Sequence, residues 1–304
     1  MIEEFKYYYE RAKKMQELKY EGKDWTEMDV ADELIWNIPI YDVVNRRFAA
    51  FSSLPEAIRR GRNDPKRNGV FFDRMHISDE DFVNLLYLFR LCGSGINYIP
   101  KTEKGIFLGT HGFGNFWIVD LLLDGAYDTK SWLDEMPQNK FCDVKGYLLP
   151  MVKGGLRNYI IKNSMELVGM IKNYIALGPK RGIKEVVDFG NKWLVDNGFK
   201  RQNFVLTAFA MDLAEYFPAL VDRDSDVYLG SNAKKCLKLI APGKNQTNTL
   251  KMLCDITGSF SKPYDMEDVA CDFIRFINNF QSQDHIKANK GNIYMNNLKS
   301  LKNV

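Results

Sequence analysis

Apolar residues in this chain recur at spacings of three and four far more often than at two. Phe82, Leu85, Leu86 and Phe89 form one such stripe, and Val205, Ala208, Phe209 and Leu213 form another. That period matches the 3.6-residue turn of an α-helix, so each stripe reads as the buried face of an amphipathic helix. Helix starts are supplied by Thr26 ahead of an acidic turn, by Ser78 followed by DEDF, and by Ser231 or Asn232 ahead of AKKCLKLI. Each offers a side-chain oxygen to the amides that a helix leaves unpaired at its entrance. The pattern predicts helices near residues 3–20, 27–36, 39–51, 53–60, 78–91, 115–124, 129–135, 164–177, 180–196, 200–216, 232–240, 247–257 and 266–280. Glycine and proline interrupt at 93–100, 109–114, 149–155 and 241–244, none long enough for a flexible linker. The expected fold is all-α, a single helical domain over residues 1–283 followed by a basic tail over 284–304.

A chain of 304 residues buries a core without disulfide or metal staples. No apolar run approaches the roughly 18 to 20 residues of a bilayer span, so no membrane partner is expected. The opening MIEEFKYYYE lacks an apolar signal core behind a basic start, and the expected compartment is the cytoplasm. Cys92, Cys142, Cys236, Cys254 and Cys271 make neither a CxxC pair nor an even disulfide set and read as packed thiols. His76, His111 and His285 lie far apart, which leaves little material for a metal site or a proton relay. Carboxylates, amides and arginines are left to carry any chemistry, with no cofactor and no metal expected. A P-loop kinase is excluded because there is no GxxxxGK[ST].

Residues 203–240, NFVLTAFAMDLAEYFPALVDRDSDVYLGSNAKKCLKLI, are the most informative stretch: a helix, an acidic turn, and a second helix entered through glycine. Asp222, Asp224 and Asp226 stand at i, i+2 and i+4. That spacing aims at least two carboxylates into one space and suits cation binding, amine recognition or proton abstraction; a hydrated, capping turn is the structural alternative. Gly230 with Ser231 or Asn232 then opens a helix whose first turn carries Lys234 and Lys235. Exposed amides, the helix dipole and two ammonium groups favour phosphate or pyrophosphate there, against the alternative of an ordinary capped helix with surface lysines.

A net charge of +3 from 42 basic and 39 acidic side chains is too small to argue for nucleic acid, but its distribution is uneven. Arg59, Arg60, Arg62, Lys66 and Arg67 crowd RRGRNDPKRNG against one acid, a cluster able to neutralise phosphates. Asn45, Arg46 and Arg47, with Glu10 and Arg11 upstream, can clamp phosphate or pair with carboxylates. The glycine-rich GTHGFGNFW at 109–117 lets backbone approach a phosphate closely, although such a run is more often a tight turn.

In order and spacing, ERAKKMQELKYEGKDWTEMDVADE, IYDVVNRRF, FVNLLYLFRL, FVLTAFAMDLAEYFPALVDRDSDVYLGSNAKKCLKLI and YDMEDVACDFIRF resemble the alpha-glutamyl/putrescinyl thymine pyrophosphorylase family of bacteriophage DNA hypermodification. The related helical domain of 5-hydroxymethyldeoxyuridine DNA kinases shares these motifs. The resemblance runs from about residue 5 to 280, more loosely over 93–200. It implies a fold related to helix-hairpin-helix DNA glycosylases and a transferase acting on 5-(pyrophosphoryloxymethyl)deoxyuridine in DNA, whose pyrophosphate is displaced by the amine of an amino acid or polyamine. It further implies work alongside phage modification enzymes such as a 5-hydroxymethyldeoxyuridine DNA kinase, in the host cytoplasm. Where the family reads Gly-Pro-Gly-Ala, this chain reads Gly230, Ser231, Asn232, Ala233.

On that reading Asp222, Asp224 or Asp226 holds and deprotonates the incoming ammonium group, with Arg46 beside them as a catalytic residue. Gly230, Ser231, Asn232, Lys234 and Arg47 receive the pyrophosphate, and Arg59, Arg60, Arg62, Lys66, Arg67 and Lys235 hold DNA. Trp25, Tyr228 and Phe116 are candidates to stack on a flipped base. Two alternatives stay open: a glycosylase-like enzyme that excises modified bases, and a non-catalytic DNA-binding module of a modification complex.

Overall fold

A computed structural model describes residues 1–20, 76–92, 98–99, 106–107, 121–122, 124–136, 156–258 and 262–278. Helices dominate these residues, in accord with the all-α expectation, and the described strands are two-residue pieces joined in two pairs. The helices expected at 27–36, 39–51 and 53–60 lie outside the described residues. The chain divides into two compact units: a discontinuous one, Met1–Arg46 with Asp226–Val304, and a continuous one, Arg47–Ser225.

The continuous unit contains α2 (Asp79–Cys92), β1 (Tyr98–Ile99) antiparallel to β2 (Ile106–Phe107), and α3 (Thr129–Asp134). A long helical run follows as α4 (Leu156–Lys162), a π-helical turn (Asn163–Leu167) and α5 (Val168–Ala176). Then come β3 (Arg181–Gly182), α6 (Ile183–Asp196), α7 (Asn203–Tyr216) and β4 (Val221–Asp222), with β4 parallel to β3. Ser78 starts α2 as its position predicts: its hydroxyl accepts the Asp81 N–H at 3.0 Å, and it donates to the Asp81 carboxylate at 2.6 Å. The same carboxylate accepts the Thr129 amide and hydroxyl and so ties α3 to α2.

Helix α7 is the core of this unit. Every residue from Val205 to Glu215 is buried, which is the pattern of a helix surrounded on all sides. Phe209 meets Tyr87 of α2 edge to face at 5.3 Å. On the α6 side the approach is close: a Cβ added at Gly190 would lie 3.0 Å from a Leu206 methyl and 3.3 Å from Ile171. The turn between α6 and α7 is fixed from beneath by buried Asn191, which accepts the Gln202 amide at 2.8 Å and donates to Asn203 at 2.7 Å.

The run around Asn163 departs from the sequence expectation. A helix was expected to begin at 164, whereas it begins at Leu156 and continues through. Asn163 and Ser164, poor helix formers that look like a boundary, are buried within a turn where the backbone widens instead of ending.

In the discontinuous unit, α1 (Ile2–Tyr20), α8 (Ser231–Ile240), α9 (Gln246–Thr257) and α10 (Pro263–Asn278) pack together. Phe5 and Tyr8 of α1 meet Phe273 of α10 at 5.2 and 5.3 Å, and Tyr8 also meets Phe276 at 5.2 Å. Helix α8 buries Ala233, Cys236, Leu237 and Ile240 and exposes Lys234, Lys235 and Lys238, as a 3.6-residue period requires. Asn245 caps α9 by accepting the Asn248 amide. Burial pushes the Cys236 thiol up and the Cys254 thiol to about 12, so both stay protonated at neutral pH, as packed thiols do.

A buried ion pair links α2 to α7. Arg90 donates through Nε to Asp212 Oδ2 at 2.6 Å and through Nη2 to Oδ1 at 2.8 Å, with side chains 6% and 1% exposed. Removing one partner strands the other charge out of water. Arg90→Met is therefore expected to lower unfolding free energy by about 3–5 kcal/mol, whereas Arg90→Met with Asp212→Leu loses much less than the two single losses added together. Urea unfolding of the four proteins in the cycle checks this.

Candidate functional site: the acidic bend and the entrance of the glycine-led helix

The acidic stretch folds as a bend pinned from inside. Arg223, between two of the aspartates, reaches Glu215 of α7 at 2.9 Å, and the Glu215 side chain is only 2% exposed. Ser225 donates its hydroxyl to the Asp222 carbonyl at 2.7 Å and accepts the Ile183 amide at 2.8 Å, so the bend also closes the start of α6. With Arg223 and Ser225 anchored, the aspartates lie outward: Asp222 is about two-fifths exposed and Asp224 is exposed. The Asp224 amide donates to Asp222 Oδ1 at 3.4 Å, so these two come together in one turn. Lys180 lies 3.0 Å from the Asp222 carboxylate.

The boundary between the two units falls between Ser225 and Asp226, so Asp226 belongs with the discontinuous unit. There its carboxylate meets Lys251 at 2.9 Å, and again the aspartate is about two-fifths exposed. Among the described residues no group of three histidines, cysteines or carboxylates is arranged to hold a metal ion.

At the head of α8 the helix begins one residue earlier than the sequence suggests. Gly230 is the N-cap, and neither Ser231 nor Asn232 caps the helix. The Gly230 N–H, expected to face a pyrophosphate, donates at 2.8 Å to Glu267 of α10, itself 7% exposed. A carboxylate of the chain's own thus takes one of the amides expected to meet an anion. Ser231, Lys234 and Lys235 are exposed, Asn232 is half-buried, and the first turn of α8 carries no acid. Arg46, Arg47, Arg59, Arg60, Arg62, Lys66 and Arg67, together with Trp25, Phe116, the GTHGFG run and the basic tail, lie outside the described residues.

The residue pattern does not reveal the ion pairs that α7 makes with α2 and with the bend. Asp212 and Glu215 sit in a mostly apolar helix, and a carboxylate in such a place demands a cation. That was the available signal, although their partners Arg90 and Arg223 cannot be named from it. Glu267 gave no comparable sign. No described helix is long and apolar enough to cross a membrane. No family model, no curated protein and no solved structure matches the chain.

The inner and outer charges of the bend differ in weight. Glu215→Ala is expected to cost about 1–3 kcal/mol and to make the 222–225 bend more sensitive to protease, because it strands Arg223. Asp222→Asn removes only an exposed pair, worth about 0–1 kcal/mol. Chemical denaturation with limited proteolysis of both variants measures the contrast.

Proposed function

We propose that this protein is a transferase that modifies thymine-derived bases in DNA, displacing pyrophosphate from 5-(pyrophosphoryloxymethyl)deoxyuridine with the amine of an amino acid or polyamine. The observation that carries the reading is that Asp222 and Asp226 each hold an ammonium group already, Lys180 at 3.0 Å and Lys251 at 2.9 Å. An amine substrate arrives as the same cation and asks for the same partner. The ordered sequence motifs described above, and their resemblance to the hypermodification family, supply the reaction. A fold related to helix-hairpin-helix glycosylases belongs to the same proposal.

In that reaction the amine nitrogen forms a bond to the exocyclic methylene carbon while the carbon–oxygen bond to pyrophosphate breaks. Pyrophosphate leaves with the electron pair, and an aspartate takes the proton that the nitrogen releases. Lys234, with Arg46 and Arg47, meets the charge that develops on the leaving group. Asp224, exposed and next to Asp222, widens the acidic surface that receives the amine. Lys235 and the arginines of 59–67 hold the DNA backbone.

One observation favours a second reading, a non-catalytic DNA-binding module. All three aspartates are at least partly open to solvent, which a hydrated turn also explains. The two are separated by incubating the protein with DNA that carries the pyrophosphorylated base and a panel of amino acids and polyamines, then digesting to nucleosides for mass analysis. A new nucleoside adduct and an equal amount of released pyrophosphate are expected. Asp222→Asn with Asp224→Asn and Asp226→Asn should slow the reaction by about 100-fold or more. No adduct and no pyrophosphate with any amine contradicts the transferase.

A further inference from the structure

We propose that a cleft in the continuous unit, separate from the bend and independent of the transferase reading, binds a small neutral polyhydroxylated molecule. The cleft has a volume of about 290 Å³ and lies between the start of α2, the start of α3 and the π-helical turn that leads into α5. Volumes near this value suit small ligands, and widened helical turns recur at functional sites.

Its lining has hydrogen-bonding capacity that the protein leaves unused. Asn84 and Ser164 both line the cleft and are 8% and 1% exposed. Among the described residues, neither Asn84 Oδ1 nor Ser164 Oγ has a hydrogen-bond partner. Buried polar atoms are almost always satisfied, and two unsatisfied ones against a single opening point to a ligand that completes them. The Ser164 hydroxyl turns about one bond to meet it.

The charges around the cleft are already engaged, which fixes the chemical class. Asp81 accepts from Ser78 and Thr129; burial opposes its ionisation, but these hydrogen bonds hold its carboxyl below the usual range. Asp128 accepts the Ser131 hydroxyl and amide, which likewise hold it low. Glu80 pairs with Lys172 at 2.6 Å. An anionic ligand would meet three carboxylates against two lysines, of which Lys130 pairs with Asp134 at 2.9 Å. A cationic one would have to displace fixed backbone and hydroxyl donors at Asp81 and Asp128, not a lysine alone. Among the described residues no aromatic ring lines the cleft, so they offer a nucleobase no surface on which to stack. What is left is an amide oxygen that accepts, a hydroxyl that both donates and accepts, and the spare N–H donors of Lys172. Hydroxyl groups, each a donor and an acceptor, satisfy that set without carrying charge.

The test is titration of the full chain with D-ribose, D-glucose and myo-inositol, with glucose 6-phosphate and putrescine as charged controls. Binding is read from the backbone amide of Gly169 and the side-chain amide of Asn84 by NMR. At least one neutral polyol is expected to give saturable shifts at both positions, with a Kd about tenfold or more below that of either charged control. Ser164→Ala should weaken that binding about tenfold while leaving the thermal midpoint unchanged or higher, because it deletes a buried hydroxyl that has no partner. Should that variant fold poorly, Gly169→Leu serves instead. Gly169 lines the cleft and a Cβ there meets nothing within 4 Å among the described residues, so a larger side chain has room to enter at its base and is expected to abolish binding. No saturable response to any neutral polyol overturns the proposal, as does binding that the cleft variants leave unchanged.

Discussion

The bidentate pair of Arg90 with Asp212 is the contact on which the continuous unit turns. Helix α7 is buried along nearly its whole length, yet it carries two carboxylates three residues apart, Asp212 and Glu215. A buried carboxylate is costly without a partner, and each is met by an arginine from another part of the chain. Arg90 fixes α2 against α7, and Arg223 draws the acidic bend onto the C-terminal turn of the same helix. The functional candidate is thus an extension of the core, joined to it by charge as well as by apolar packing.

That arrangement explains why alternate residues of the bend play opposite roles. Arg223 and Ser225 face inward and take their partners from α7 and α6, while Asp222 and Asp224 face outward. Exposed ion pairs such as Asp222 with Lys180 contribute little to stability, so folding places little demand on the outer carboxylates. The head of α8 follows another logic. Glu267 takes the Gly230 amide, while Lys234 and Lys235 in the first turn are exposed.

Much of this was legible in the residues. The stripe at spacing three and four located α2 closely, because a buried helical face needs that period whatever it packs against. The same spacing placed α7, which proves to be buried on every side and not along one face, and α8 was placed by the capping residues at its entrance. Ser78 was legible because its cap is local, a hydroxyl and an amide three residues apart. The π-helical turn at Asn163–Leu167 was not, since local preference at Asn163 and Ser164 argues for a break that burial overrides. Nor was the pairing of Arg90 with Asp212 or of Gly230 with Glu267, in which 122 and 37 positions separate the partners. At the head of α8, Ser231 looked like the cap by composition, yet Gly230 holds that position and its amide turns to a carboxylate on another helix. Sequence pattern reports on faces and ends, and it is silent on which distant charge answers which.

The central claim is that the aspartates of this bend receive an ammonium group. The most direct measurement follows the side-chain carboxylate carbons of Asp222, Asp224 and Asp226 by NMR while putrescine is added at constant ionic strength. Saturable shifts at Asp222 or Asp226, as the added amine replaces Lys180 or Lys251, are the predicted result. Shifts that never saturate and that sodium chloride reproduces would contradict the claim.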